Sequence, residues 1–268
     1  MIEALSMSFF QNALLAGALA SIACGVIGSL VVVNRHVFLA GGVAHAAYGG
    51  VGLAFFFSLP VLPCTIAFTV LAALITAHAT FGRKERTDSF IGVLWASGMA
   101  LGIMLLNLTP GYNVDLMSYL FGSILTVPRT DLTIMLVLDV AVLSTVYFWY
   151  GDFLSLSFDI EYARASGVPV KTLYTLMLVM VAVAVVLVIQ VVGLILVIAL
   201  LTIPPMLAEM GARSLSRVMI FSVLYCLAFC MVGLMAAYHF DLSSGAAIIT
   251  VASLSFFATK SIQKIRRS

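Results

Sequence analysis

Ionisable side chains are rare in the apolar segments of this 268-residue chain, and His45 is the one best suited to binding a metal ion. A neutral imidazole is a good ligand for zinc, manganese or iron. Gly41 and Gly49 lie four residues before and after it, so on a helix all three share one face, where glycine lets a second helix approach the ring closely. These residues leave two possibilities for His45, and a metal contact is one of them. The alternative is a histidine that is hydrogen-bonded inside a helix bundle for packing alone.

Two aspartates are the candidate oxygen ligands. Asp139 falls within a predicted membrane span, where a charged side chain is costly unless it is paired or faces water. It therefore either lines a path for ions through the membrane or makes a structural hydrogen bond to a neighbouring helix. Asp115 is predicted at the outer mouth, where it contacts the metal or a docking protein, or is an ordinary exposed loop residue. No nucleophile or acid–base group accompanies His45 and Asp139, which gives little support to a membrane enzyme or a proton-coupled carrier.

A short polar segment, residues 152 to 169, lies between two apolar runs and carries its own helix signals. Asp159 is placed to cap a helix, Glu161 adds charge to its first turn, Gly167 suits the C′ position and Pro169 blocks continuation. We interpret it as a two-turn cytoplasmic coupling helix that contacts its own bundle or a docking partner, with an ordinary inter-helix loop as the alternative. The residues assigned to coupling are Asp159, Ile160, Glu161, Tyr162, Arg164 and Gly167.

Composition indicates an all-α polytopic membrane protein, a single membrane domain over residues 1–268. The chain is 63% hydrophobic and 9% charged, and its apolar runs reach the length of about 20 residues that a helix needs to cross a bilayer. Nine spans are predicted, with eight as the alternative because the break between the sixth and seventh is weak. The predicted spans are 9–33, 37–57, 61–81, 90–109, 131–150, 171–189, 191–210, 217–238 and 243–260.

Basic residues set the predicted orientation. In the nine-span arrangement Arg129 alone lies opposite the other lysines and arginines, so the side that carries them, and the C-terminus, is predicted to face the cytosol. The coupling segment then lies inside the cell and Asp115 outside. The net charge of +2 reflects this topology and gives no reason to expect nucleic acid as a partner.

Prolines and glycines inside the predicted spans suggest bending and close packing. Pro204 and Pro205 remove backbone hydrogen bonds and predict a kink, which suits a gate hinge or simply shapes packing. Gly98 and Gly102 form a G-x-x-x-G face for close contact, within the bundle or between two subunits. The pair Cys226 and Cys230 shares a helical face, and small core residues are a commoner reason for it than a soft metal.

No phosphate-binding loop of the form G-x-x-x-x-G-K-[ST] occurs in the chain. Transport against a gradient would therefore need an ion gradient or a separate ATPase, and a defined cytoplasmic helix favours the ATPase.

Four segments in order resemble the membrane permeases of the bacterial and archaeal ABC importers for zinc, manganese and iron(II). They are NRHVFLAGGVAHAAYGGVGLA at 34–54, DLMSYLFGSIL at 115–125, SFDIEYARASGVPV at 157–170 followed by VVGLILVIALLTIPPMLAEM at 191–210, and DLSSGAAIITVASLSFF at 241–257. The resemblance implies a homodimeric permease in a prokaryotic cytoplasmic membrane, cytoplasmic ATPase subunits at the coupling helices and an extracytoplasmic solute-binding protein. It implies no permanently bound cofactor: the metal ion is cargo, and the partner hydrolyses ATP.

Position 41 departs from the pattern of this family, which usually has an aspartate one turn before the histidine. Gly41 removes a hard oxygen ligand and a negative charge, so zinc is favoured over manganese or iron as cargo. The same departure motivates an alternative, the permease of a metal-chelate importer of the siderophore or cobalamin type.

Overall fold

The computed structural model describes residues 8–82, 87–110 and 127–267, and every regular element within those ranges is a helix. This confirms the all-α class. The helices are α1 (Ser8–Val33), α2 (Val37–Phe56), α3 (Val61–Thr80), α4 (Thr87–Leu108), α5 (Arg129–Phe148), α6 (Tyr150–Phe158), α7 (Ile160–Ala165), α8 (Val170–Val192), α9 (Leu194–Glu209), α10 (Leu215–Phe240) and α11 (Ser244–Arg267).

Eight of the described helices are long and apolar enough to cross a membrane, namely α1 to α5, α8, α10 and α11. The remaining predicted span corresponds to α9, which is apolar but only 16 residues long. The predicted break before it is present, because Gly193 adopts a φ of 86°, a backbone conformation that favours glycine, and so separates α8 from α9. By length, the structure therefore agrees with the alternative count of eight.

The polar segment folds differently from the single two-turn helix that the sequence predicts. It holds two short helices: α6 has nine residues, and α7, the predicted coupling helix, has only six. Asp159 ends the first helix in extended backbone and begins the second, so the chain changes direction at this residue.

The described residues fall into two compact units. The first comprises those within Met1–Val33, Met117–Leu143 and Val188–Ser268, and the second those within Asn34–Leu116 and Ser144–Leu187. The prediction that residues 1–268 act as one permease domain stays a prediction.

The first unit packs α1 against α9 and α10, with α11 against both of these later helices. Gly25 of α1 faces the backbone of Val223 in α10, where an added Cβ would lie 2.7 Å from the amide nitrogen. The buried hydroxyls of Ser29 and Ser222 are hydrogen-bonded at 3.0 Å across the same pair of helices. Small residues therefore allow these helices to approach closely, as is common in membranes, where the hydrophobic effect does not drive helix association.

The second unit is built around a close contact of α2 with α4. An added Cβ on Gly52 would lie 2.5 Å from the carbonyl oxygen of Gly102, and one on Gly98 would lie 2.9 Å from the Cα of Ala46. A Cβ on Gly102 would collide with the carbonyl oxygen of Tyr48. The Gly98 and Gly102 face thus packs within the bundle, against the helix that carries His45.

Adding a methyl group at this contact should destabilise the protein. Gly102→Ala forces α2 and α4 apart, and overpacking of this kind costs about 1–3 kcal/mol. Gly92→Ala is the matched control in α4, because an added Cβ at Gly92 meets nothing within 4 Å. We expect thermal unfolding in detergent at a lower temperature for Gly102→Ala only; equal midpoints for the two variants would contradict the close contact.

Candidate functional site

His45 is half-buried in α2, and one of its ring nitrogens is already engaged. Its Nδ1 lies 2.8 Å from the carbonyl oxygen of Gly41, one turn earlier. A carbonyl only accepts, so Nδ1 carries the proton in this contact and Nε2 presents a lone pair. Metal-binding histidines commonly donate their second N–H to a carbonyl in this way, which fixes the ring orientation. The arrangement suits His45 to bind a metal through Nε2.

Trp95 of α4 covers one face of the His45 ring, a contact that the sequence reasoning missed. The two ring centroids are 4.0 Å apart with the planes tilted by 31°. The indole Nε1–H of Trp95 donates to the Sδ atom of Met99 at 3.1 Å, within the same helix. The sequence held a signal for the contact, since Trp95 lies on the same helical face as Gly98 and Gly102.

The two glycines that flank His45 have different surroundings. An added Cβ on Gly49 would lie 2.6 Å from the ring of Phe68 and 3.2 Å from the carbonyl oxygen of Gly98. An added Cβ on Gly41 would meet nothing within 4 Å. Gly49 is therefore needed for packing, whereas position 41 has space for a side chain one turn from the imidazole.

Of the two candidate aspartates, only Asp139 lies among the described residues. Asp139 of α5, in the first unit, is only 3% exposed, and neither of its carboxylate oxygens has a hydrogen-bond partner among the described residues. Asp115 lies outside the described residues, together with the segment around it. Within the described ranges no three histidine, cysteine or acidic side chains are grouped so as to hold a metal ion. In the part of the chain that the structure describes, His45 therefore belongs to no such group.

The coupling helix α7 has the caps that the sequence predicts. The Asp159 carboxylate accepts from the backbone N–H groups of Glu161 and Tyr162, both at 3.0 Å. Gly167 follows the C-cap residue with a φ of 81°, a conformation that favours glycine. Glu161 and Arg164 form an exposed ion pair at 3.4 Å, which contributes little stability in water.

Ala163 anchors α7, and the other five residues of this helix, like Phe158 just before it, are exposed. Ala163 is fully buried, whereas Phe158, Ile160 and Tyr162 are 71%, 43% and 63% exposed. The exposed side chains are large and apolar, and charged groups lie beside them. Such a surface suits docking of another protein.

Polar contacts near the coupling helix connect it to the loop that precedes α2. Asn34 donates from Nδ2 to the Ser157 hydroxyl at 2.9 Å. In the same unit the hydroxyls of Thr80 and Tyr174 are hydrogen-bonded at 2.9 Å, and the His36 ring packs edge-on against Tyr174. Burial lowers the pKa of His36 below its ordinary value of 6.5. The loop before the His45 helix is therefore held to the segment that leads into α7.

Pro204 and Pro205 lie inside α9 and leave two carbonyl groups without their usual helical donors. The carbonyl of Leu200 accepts from the Cys226 thiol of α10 at 3.6 Å. The carbonyl of Leu201 lies where Gly28 of α1 leaves space, since an added Cβ there would be 2.6 Å from the oxygen. Cys226 therefore has a packing and hydrogen-bonding role, and Cys24, Cys64, Cys226 and Cys230 are all free thiols.

Comparison with known families agrees with this architecture. The family model described as the ABC 3 transport family matches residues 6–263. The chain belongs to the ABC 3 transport family. This confirms the resemblance drawn from the four segments, and it makes the chain a membrane transport subunit whose ATPase is a separate protein.

Relatives of this ABC 3 family protein match it over nearly their whole length. A membrane protein of Synechocystis sp. is 46% identical over 264 residues, covering 98% of this chain and 94% of that protein. The manganese transport system membrane protein MntC of Halalkalibacterium halodurans is 31% identical, covering 95% of this chain and 87% of that protein. The solved structure of PsaBC from Streptococcus pneumoniae in complex with Fab matches with a TM-score of 0.85 at 30% identity, covering 96% of this chain and 93% of that one.

The cap on α7 gives a test of the coupling surface. Asp159→Ala removes the acceptor for two backbone N–H groups. Loss of an N-cap costs about 0.5–2 kcal/mol, and a helix of only six residues is marginal without its cap. We expect weaker retention of the partner ATPase during purification, with the midpoint of thermal unfolding nearly unchanged. Asp159→Asn is the control, because asparagine caps as well as aspartate. Equal retention by the alanine variant and the wild type would show that the capped helix is not the docking element.

Proposed function

We propose that this chain is the permease subunit of an ATP-binding cassette importer and forms the path for divalent transition-metal ions, with zinc favoured over manganese or iron. The observation that carries the proposal is His45, a half-buried imidazole in a membrane-spanning helix with Nδ1 hydrogen-bonded and Nε2 left as an acceptor. The printed name of the relative MntC, a manganese transport system membrane protein, supports a metal as cargo.

A site with few protein ligands suits passage better than storage. Among the described residues no three metal-binding side chains are grouped, and His45 offers a single nitrogen, Nε2, as a ligand. Asp139, and Asp115, which the sequence predicts at the outer mouth, are the further residues we assign to metal transport. The ion is the transported cargo, and no permanently bound cofactor is part of the proposal.

Zinc is favoured because of position 41. Manganese prefers oxygen ligands, whereas imidazole nitrogen suits zinc well. Gly41 supplies no oxygen from its side chain, so the imidazole stands without the carboxylate that the family pattern places one turn earlier. The manganese relatives point the other way, and the test below separates the two metals.

The partners follow from the family and the coupling surface. Cytoplasmic ATPase subunits bind the exposed side of α7 and hydrolyse ATP, and an extracytoplasmic solute-binding protein delivers the metal. Two copies of the chain form the working dimer in a prokaryotic cytoplasmic membrane, with the C-terminus in the cytosol. Pro204 and Pro205 make α9 the element that bends during gating, because two of its carbonyls are free of helical hydrogen bonds.

A metal-chelate importer is the second candidate, and the open space at Gly41 favours it. A chelate brings its own ligands and needs no imidazole from the protein. Uptake of a chelate should therefore not depend on His45.

Replacement of His45 tests the bare-ion path. Loss of a residue that only supports a metal ligand typically costs 10–100-fold, so we expect His45→Ala to lower metal uptake by about tenfold or more. The measurement is the zinc, manganese and iron content of cells that lack the gene and are complemented with each variant at equal membrane abundance. His78→Ala, an exposed histidine in α3, is the control. Full restoration of metal content by His45→Ala would leave the chelate importer as the better reading.

Replacement of Gly41 tests the choice of metal. Position 41 has room for a side chain, so Gly41→Asp should fold normally and add an oxygen ligand one turn from the imidazole. We expect the ratio of manganese to zinc uptake to rise severalfold. Gly41→Asn has the same shape without the charge and should change the ratio much less. An unchanged ratio in Gly41→Asp would mean that position 41 does not set the preference for zinc.

A further inference from the structure

The His45 ring is held from two directions, and the second contact has no role in the function described so far. The Gly41 carbonyl fixes the ring edge through Nδ1, and the indole of Trp95 lies over one ring face at a centroid distance of 4.0 Å. Trp95 comes from a different helix, α4, so the contact exists only in the folded protein. Stacking engages the ring face, so it does not use the in-plane lone pair of Nε2, the proposed metal-binding atom.

Trp95 is itself held in place. Its Nε1–H is hydrogen-bonded to the Met99 thioether at 3.1 Å, so the polar edge of the indole is satisfied within α4. The Phe38 ring lies 6.1 Å away, centroid to centroid, on the same helix as His45. The centroid distance of 4.0 Å and the tilt of 31° between the planes place the π face of the indole against His45.

The strength of this stacking depends on whether His45 carries a metal ion. The face of an indole ring is electron-rich and attracts positive charge, and indole is the best of the aromatic side chains in this respect. When a divalent cation binds at Nε2, the imidazole gains positive charge and is attracted more strongly to the indole. In a half-buried site water screens this attraction only in part. The contact therefore stabilises the loaded site more than the empty one.

We propose that Trp95 is a positioning residue for metal transport, which orients the His45 ring and stabilises its metal-loaded form through the indole face. The proposal rests on the proposed function, because it assumes that His45 binds the cargo ion. Gly98 and Gly102 have a supporting part, since their close contact with α2 brings Trp95 within reach of His45.

Two substitutions separate the aromatic face from simple filling of space. Trp95→Leu removes the π face, whereas Trp95→Phe keeps a weaker one. Cation–aromatic contacts correspond to about a two- to thirtyfold effect on binding, so we expect the half-saturating zinc concentration for uptake to rise by that factor in Trp95→Leu. Trp95→Phe should lie between Trp95→Leu and the wild type. Maximal uptake per molecule and the midpoint of thermal unfolding should change little in both.

The spectrum of Trp95 gives a direct measurement. The chain has two tryptophans, so Trp149→Phe leaves Trp95 as the only one. In full-length protein in lipid nanodiscs, added zinc should change the Trp95 fluorescence, and His45→Gln in the same background should abolish the change. A fluorescence response that survives His45→Gln would contradict the stacked, metal-loaded pair.

The outcomes distinguish this inference from the function on which it rests. If His45→Ala transports metal normally, the proposed path is wrong and the role of Trp95 falls with it. If His45→Ala fails but Trp95→Leu has the half-saturating concentration of the wild type, only the inference about Trp95 is wrong. If Trp95→Phe and Trp95→Leu are equally impaired and both unfold at lower temperature, Trp95 serves packing alone, which also overturns it.

Discussion

The close approach of α2 and α4 is the contact on which the His45 site depends. Glycines at 52, 98 and 102 let the two backbones meet with no side chain between them. In a membrane such contacts replace the hydrophobic effect as the source of helix association, since lipid is as apolar as the helix surface. Because the helices are this close, Trp95 reaches the face of the His45 ring. A wider spacing would leave the imidazole held only by its own helix.

The cost of charge in an apolar medium explains why so few ionisable groups lie in the spans. A neutral His45 can lie in such a helix because its Nδ1–H is hydrogen-bonded to the Gly41 carbonyl oxygen. Asp139 is harder to accommodate, since it is buried and neither oxygen has a hydrogen-bond partner among the described residues. A single well-oriented nitrogen favours transient contact with a cation, whereas a complete ligand set would retain it.

The short helix α7 is stabilised by several local contacts. Six residues cannot form a stable helix alone, so the Asp159 cap, the left-handed Gly167 and the buried Ala163 each have to contribute. The hydrogen bond from Asn34 to Ser157 then ties this segment to the loop that leads into α2. Within one compact unit, the segment that leads into α7 and the loop that leads into the His45 helix are therefore joined by a short polar contact.

Local chemistry in the sequence was sufficient for the all-α membrane class, the helix break at Gly193 and both ends of α7, because length, hydropathy, capping oxygens and positive φ act over a few residues. It was insufficient for the extra helix α6, whose Phe153 and Leu156 are buried only in the folded protein. The sequence also could not predict the stacking of Trp95 on His45 or the hydrogen bond from the Cys226 thiol to the Leu200 carbonyl. The residues of each pair belong to helices that meet only after folding. Residue type and spacing define what each helix face offers, whereas the rotation and separation of packed helices decide which atoms meet.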